Sequence, residues 1–245
     1  MADIIVTGTS RGIGEALAER LLAQGHRVIG IARTNSGKLA GGAGGGYTHI
    51  EADLGETASL ERLMARVFEA VSPGGAQGVY LVNNAAVLQP LGDVGACGSE
   101  AVDRHLRVNL TAPMILSSLF ARHTQQWVAD KRILNVSSAS ASILLPGMSA
   151  YCTVKAGLDV FAKVMGMEQA RQANPIKVAA VWPGMIETAM QAEIRGQSPD
   201  VFPSAEVFIG ALQGGMLTTP EQTAAKLADL LTGPAFPQGE VLTEL

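Results

Sequence analysis

Sulfur and imidazole are scarce: the 245 residues hold two cysteines, Cys97 and Cys152, and four histidines. Two thiols cannot build a disulfide framework, and the scattered histidines show no metal-ligand spacing, so free thiols in a reducing compartment and no metal are expected. Charge is thin as well, at 16% of residues with a net of -4 and no run of Lys or Arg. That balance lacks the basic footprint of a nucleic-acid or anionic-membrane partner. No uninterrupted apolar run approaches about 18 residues. The chain also enters Ile4-Ile5-Val6 directly, without a basic segment followed by a separate apolar stretch. These absences predict a soluble, cytoplasmic protein with neither nucleic acid nor membrane as partner.

What is plentiful is apolar surface, 47% of residues, enough for one large α/β domain rather than two small ones. Short β-branched runs alternate with amphipathic stretches along the whole chain, the pattern of a parallel sheet covered on both faces. Strands are predicted at Ile4-Val6, Arg27-Ile31, Thr48-Glu51, Val79-Asn83, Arg132-Ser137, Lys177-Trp182 and Glu240-Thr243. Helices are expected around Ile13-Gln24, Thr57-Val71, Ser99-Val108 continuing to Thr124, Ala150-Asn174, Ser204-Leu212 and Pro220-Leu231. The result is a doubly wound, mostly parallel seven-stranded sheet in a single domain, residues 1–245. The glycine-rich stretch Gly41–Gly46 precedes a strand rather than a helix, and reads as a flexible surface loop instead of a phosphate cradle.

The first strand runs into Thr7-Gly8-Thr9-Ser10-Arg11-Gly12-Ile13-Gly14 and then a helix. That is the setting of a dinucleotide-binding turn, in which glycines let backbone N–H groups approach a pyrophosphate at a helix N-terminus. Such a turn can also be a plain tight connection. Two further features favour the ligand. Asn83-Asn84-Ala85-Ala86 closes the fourth strand with amides and small residues at the crossover point of the sheet. Asp53, followed by Leu54, ends the third strand, where its carboxylate can accept from an adenine amino group or cap the next segment. The end of strand two reads Ala32-Arg33-Thr34, basic where an acidic residue would select a free ribose 2′-OH. With Arg11 in the turn, Arg33 offers guanidinium to a 2′-phosphate, and NADP(H) is the expected cofactor. Two solvated surface arginines are the plain alternative.

A second constellation lies further on. Tyr151 and Lys155, four apart, share one face of a helix, so the ammonium is expected to lower the phenol's pKa and make Tyr151 a proton donor near neutral pH. Ser138 lies thirteen residues upstream of Tyr151. Ser137 is its rival, and the spacing to Tyr151 favours Ser138.

Together these motifs resemble the short-chain dehydrogenase/reductase family, with a Rossmann-like single domain, over essentially the whole chain. The matches are Thr7-Gly8-x-x-x-Gly12-x-Gly14, Asp53-Leu54, Asn83-Asn84-Ala85, Asn109, Ser138, Tyr151-x-x-x-Lys155, and Pro183-Gly184 followed by Thr188. Finer features, Leu106-x-Val108-Asn109-Leu110-Thr111-Ala112-Pro113 and Met190-Gln191-Ala192-Glu193-Ile194-Arg195 among them, look like the branch of sepiapterin reductases and bacterial benzil reductases. Ala86 departs from the glycine of many members. The chain also stops soon after Val241, which argues against a tetramer.

The resemblance implies hydride transfer between nicotinamide and a carbonyl carbon. Tyr151 would serve as general acid, Lys155 as its electrostatic partner and a hold on the ribose, and Ser138 as a hydrogen-bond donor to the developing alkoxide. Asn109 resembles the residue holding a water that links Lys155 to solvent. Ile186 and Thr188 resemble the segment that binds the carboxamide, although Thr188 could simply cap a helix.

Substrate-facing residues are expected at Val87-Leu88-Gln89, Ile143 through Met148, and Met185 through Met190. They are mostly apolar, which favours a small hydrophobic ketone or diketone. Residues 185–215, broken by Gly196, Pro199 and Pro203, read as a substrate lid. A 3-oxoacyl-thioester ketoreductase, an alcohol dehydrogenase and an NADP(H)-sensing regulatory protein are the competing readings. Family members pair through helices, so a homodimer is expected. The stripe Val154, Leu158, Phe161 and Met165 either seats the second copy or packs on the sheet.

Overall fold

The structure is a computed structural model that describes residues 1–42, 46–71 and 77–245. Seven parallel strands form its sheet: β1 (Ala2–Thr7), β2 (Arg27–Ala32), β3 (Tyr47–Glu51), β4 (Gly78–Asn83), β5 (Asp130–Val136), β6 (Lys177–Val181) and β7 (Glu240–Leu242). Their spatial order is β3-β2-β1-β4-β5-β6-β7. The winding reverses between β1 and β4, and the crevice outside their carboxyl ends is where such sheets receive ligands.

Side chains alternate across each strand, so every strand feeds two cores. Ile5, Ile29, Leu81, Ile133 and Val178 face α3 (Leu60–Ala70), α5 (Ala112–Thr124) and α6 (Ser149–Gln169), meeting Met64, Phe120 and Met165. Ile4, Val6, Val28, Val82, Leu134 and Val181 face α1 (Gly12–Ala23) and α9 (Pro220–Thr232), meeting Leu17, Leu21, Leu227 and Leu231. At about 25 cal/mol per Å², burying each of these large side chains contributes about 1.5–3 kcal/mol. The remaining helices are α2 (Gly37–Gly42), α4 (Ser99–Leu106), α7 (Ala189–Arg195) and α8 (Ala205–Gln213).

The expected strands are all present within a residue or two of their predicted ends. The helices differ in four places. Gly41 and Gly42 close the short helix α2, and the rest of the expected glycine loop, residues 43–45, lies outside the described residues. α6 stops at Gln169 rather than Asn174, and the Gln169 side chain ties the following turn back, its Oε1 accepting from Ile176 N at 3.1 Å. One π turn, Arg107–Thr111, interrupts what was expected to be a continuous helix between α4 and α5. α7 begins at a cap formed by Thr188, whose hydroxyl accepts from the Gln191 N–H.

The segment carrying α7 and α8 is an excursion from the sheet with a pinned base. Ile186 bridges Thr218, Glu187 N donates to Thr218 O at 2.9 Å, and Thr218 N donates to Met185 O at 3.0 Å. At its tip, Phe202 is fully buried against Gly147, which donates no side chain and sits at φ +84°. A Cβ at 147 would strike the phenyl ring.

Candidate active site

The turn after β1 is held open by glycine geometry and closed against β4 by one hydroxyl. Gly8 and Gly12 have φ of +77° and +61°, a region that side chains disfavour. A Cβ on Gly14 would run into Gly8 O and Asn84 Nδ2. Thr7 Oγ1 accepts from Asn84 N at 2.9 Å and Ala85 N at 3.0 Å, and donates to Val82 O at 3.3 Å. Asn84 Nδ2 donates to Thr7 O at 2.9 Å. The strand ends flanking the crevice are thereby locked together, and Gly8, Ser10, Arg11, Gly12, Ile13, Gly14, Asn84 and Ala85 all line one cavity of about 670 Å³.

Arg33, Asp53 and Leu54 line the same cavity at its β2–β3 end. Asp53 is doubly engaged: Oδ1 accepts from Gly55 N at 2.8 Å and Oδ2 from Arg104 Nη2 at 2.9 Å. Its carboxyl lies below the ordinary carboxylate range, since these partners and the Arg33 charge outweigh the effect of its partial burial. Capping of the following segment, one of the two expected uses of Asp53, is therefore observed. Arg11 and Arg33 are exposed.

The other end of the cavity is the Tyr151 site. α6 brings Tyr151 and Lys155 onto one buried face, and Ser138 follows β5, with its hydroxyl accepting from Ser140 N at 3.1 Å and hydrogen-bonded to Tyr151. Ser137 points away, toward Lys155 O at 3.3 Å, as strand alternation requires. The electrostatics depart from the sequence expectation. Burial pushes the Tyr151 phenol up to about 12, with the Ser138 hydrogen bond pulling the other way. Lys155 is held beside it, its Nζ donating to Val136 O at 2.8 Å and lying over the ring, 5.5 Å from the centroid. Burial brings Lys155 down to about 8, opposed by the Asp159 carboxylate one turn further on.

Asn109 sits in the π turn, a distortion frequent at functional sites. Its side chain is committed: Oδ1 accepts from Val87 N and Nδ2 donates to Val87 O, both at 2.8 Å. Nδ2 also reaches His105 Nε2 at 2.9 Å. His105, fully buried, donates from Nδ1 to Gln89 O at 2.7 Å, so its partners select the neutral Nδ1–H tautomer. Burial lowers its pKa, which agrees with that assignment. Sequence reasoning passed over His105; its place four residues before Asn109 was the available signal.

Pro183, Gly184, Ile186 and Thr188 line the same cavity. Of the expected substrate-facing residues, Val87, Ile143, Leu145, Met148, Met185 and Met190 line it, and Ile194, Val207 and Phe208 of the excursion complete its apolar wall. Leu88 is buried in the cluster behind that wall instead. Gln89 spans to the excursion, Nε2 donating to Glu193 Oε1 at 2.8 Å. Among the described residues no cluster of metal-ligating side chains occurs, and no helix is long and apolar enough to cross a membrane.

Comparison with known proteins agrees with this geometry. A family model described as short chain dehydrogenase matches residues 2–199. A benzil reductase ((S)-benzoin forming) of Bacillus cereus is 35% identical over 245 residues, covering 99% of this chain and 98% of its own. A sepiapterin reductase of Meriones unguiculatus is 31% identical over 252 residues, covering 97% of this chain and 94% of its own. Among solved structures, that of the KRED1-Pglu enzyme superposes with a TM-score of 0.86 at 26% identity, covering 99% of this chain and all of the other.

Proposed function

The chain belongs to the short chain dehydrogenase family of oxidoreductases, and we propose that within it the protein is an NADPH-dependent reductase of small hydrophobic ketones and diketones. The observation that carries this reading is Tyr151. It is a buried phenol that keeps its proton at neutral pH, hydrogen-bonded to Ser138 at the apolar end of a cavity whose other end is the glycine turn. Such a group can pass its proton to a carbonyl oxygen in reduction, the resulting phenolate serving as base in the reverse direction. The names of the benzil and sepiapterin reductases support a carbonyl substrate of this class.

The residues present fit a dinucleotide. Gly8, Ser10, Gly12, Ile13 and Gly14 form a cradle with no room for added side chains at Gly8 and Gly14, and Asn84, Ala85, Leu54 and Asp53 border it. Pro183, Gly184, Ile186 and Thr188 would hold the nicotinamide end, and Arg11 and Arg33 would take a 2′-phosphate, making NADP(H) the preferred form. When bound, the nicotinamide supplies the hydride.

The chain's own side chains do the rest. Tyr151 passes its proton to the carbonyl oxygen as negative charge develops there, and Ser138 donates a hydrogen bond to the same oxygen. Such a donor can stabilise the transition state by about 3 kcal/mol. The Lys155 ammonium, fixed by Val136 O, favours the phenolate left behind and returns a proton to it. With the Asn109 carboxamide committed to Val87 and His105, a water relaying protons to Lys155 would meet the Asn109 backbone. Residues 185–215 act as the substrate lid over this chemistry, and the protein works as a cytoplasmic homodimer.

The test is NADPH oxidation against benzil, sepiapterin and an acetoacetyl thioester, with NADH in parallel and Tyr151→Phe as control. Diketone or sepiapterin turnover that prefers NADPH and vanishes in Tyr151→Phe supports the proposal. Turnover of the thioester alone makes the protein an acyl-thioester ketoreductase. Binding of NADPH with no reduction of any carbonyl favours a sensing role.

A further inference from the structure

Gln191 is the one cavity-lining side chain among the described residues whose buried oxygen has no partner. It lies in the first turn of α7, is 9% exposed, and its Oε1 is shielded without accepting a hydrogen bond. An amide oxygen left in this state costs about 1–3 kcal/mol unless something that enters the site satisfies it. Met190 and Ile194, on either side of Gln191 along the helix, pack with Tyr151, Met148 and Phe208 in a single apolar cluster, and the other buried polar atom of α7 without a partner is Arg195 Nη1, whose neighbouring Nη2 is held by Glu187. The helix cap does not use the side chain either, since Thr188 takes the Gln191 backbone N–H.

We infer that Gln191 is a specificity-determining residue that accepts a hydrogen bond from a hydroxyl next to the reacting carbonyl. The preferred substrates are then α-hydroxyketones rather than plain ketones. This deepens the carbonyl-reductase reading and rests on it. Tyr151 and Ser138 engage the carbonyl oxygen, so their hydrogen bonds cannot distinguish a ketone from its hydroxylated analogue. An acceptor elsewhere on the wall of the same cavity can, because a substrate lacking the hydroxyl leaves Oε1 unpaired. Sites built to pair a substrate hydroxyl discriminate by such unpaired groups far better than apolar walls do by shape. A rival donor is the carboxamide NH₂ of the nicotinamide, for which Ile186 and Thr188 are the assigned partners.

The test compares kcat/KM with NADPH for 2-hydroxyacetophenone and acetophenone, which differ by one hydroxyl. It uses the whole protein, Gln191→Met and Gln191→Glu, with NADPH dissociation constants from fluorescence titration. Methionine keeps the side chain's length and loses the acceptor; glutamate keeps an acceptor. The expected result is a hydroxyketone-to-ketone ratio that falls about tenfold in Gln191→Met, the size of one neutral hydrogen bond in a closed site. The ratio persists in Gln191→Glu and NADPH affinity is unmoved. A ratio unchanged in Gln191→Met, or a loss expressed as weaker NADPH binding, overturns the inference while leaving the reductase intact. A wild type that reduces benzil but not 2-hydroxyacetophenone overturns the inference alone, and one that reduces none of benzil, sepiapterin and these two ketones overturns the carbonyl-reductase reading as well.

Discussion

His105 stands edge-on to Tyr151, ring centroids 6.0 Å apart at 65°, while its two nitrogens bind Gln89 O and the Asn109 side chain. One buried imidazole thus touches the proton donor, the π turn and the loop that faces the substrate. A second proton on it would set Nε2–H against the Asn109 amide hydrogens.

The His105 pKa is lowered in the folded protein, so between that value and the unfolded value of about 6.5 the unfolded chain binds more protons. The stability this group contributes is complete above about pH 6.5 and is lost as pH falls below it. His26 and His49 shift in the same direction. Thermal unfolding from pH 7.5 to 5 should therefore show a falling midpoint, with a slope that is shallower in His105→Gln. An equal slope in the two proteins assigns the acid sensitivity to the other histidines.

Replacing the reacting groups separates chemistry from folding. Tyr151→Phe should lower kcat for ketone reduction by about 10²–10⁴-fold, the usual reach of general acid catalysis. Ser138→Ala should cost about 10²–10³-fold, as loss of an oxyanion donor does. NADPH binding and the thermal midpoint should change little in either. If Tyr151→Phe stays active, another group is the acid.

Activity should also fall with rising pH. Lys155, brought down to about 8 by burial, carries its charge below that pH and loses it above. Tyr151, at about 12, stays protonated throughout. The kcat/KM for reduction should therefore be level up to about pH 8 and decline beyond it, since this parameter reports groups of the free enzyme. A flat profile to pH 10 contradicts this.

Cofactor choice should rest on Arg33. Charged hydrogen bonds from a guanidinium to phosphate are worth about 1.5–3 kcal/mol. Arg33→Ala should raise the KM for NADPH by about 10- to 100-fold and leave that for NADH nearly unchanged. Equal effects on the two would mean that Arg33 does not read the 2′-phosphate.

Of the two uses expected of the α6 stripe, packing on the sheet is the one observed, since Val154, Leu158 and Met165 are buried within the subunit and Phe161 packs against the core, so the proposed homodimer needs another surface. α6 instead turns Val160, Val164 and Met167 outward, all exposed. Light scattering of the wild type should give a dimer and Val164→Glu a monomer; a wild-type monomer removes the homodimer from the proposal.

Much of this was readable because the strands are short, β-branched and buried on both faces, a signal independent of neighbours. The glycine turn and the Tyr151–Lys155 spacing were equally plain, since each depends on residues within one local segment. What escaped needed three dimensions. α2, Gly-Lys-Leu-Ala-Gly-Gly, has poor helix propensity and owes its place to the buried Leu39. The π turn leaves the apolar periodicity nearly undisturbed. The direction of the Tyr151 shift depended on whether burial or the neighbouring cation prevailed. Spacing places Lys155 on the right face but does not say that its ammonium is drawn to Val136 O.

The pinned base of the excursion has an evolutionary meaning. Met185, Ile186 and Glu187 meet Thr218 through backbone groups alone, apart from the Thr218 hydroxyl, so the junction places few demands on side-chain identity. The segment between can be exchanged, lengthened or rewritten as a cassette while the sheet and the cofactor cradle keep their register. A lineage can thus change what it reduces without rebuilding how it reduces, provided the inserted tip still brings a ring to Gly147.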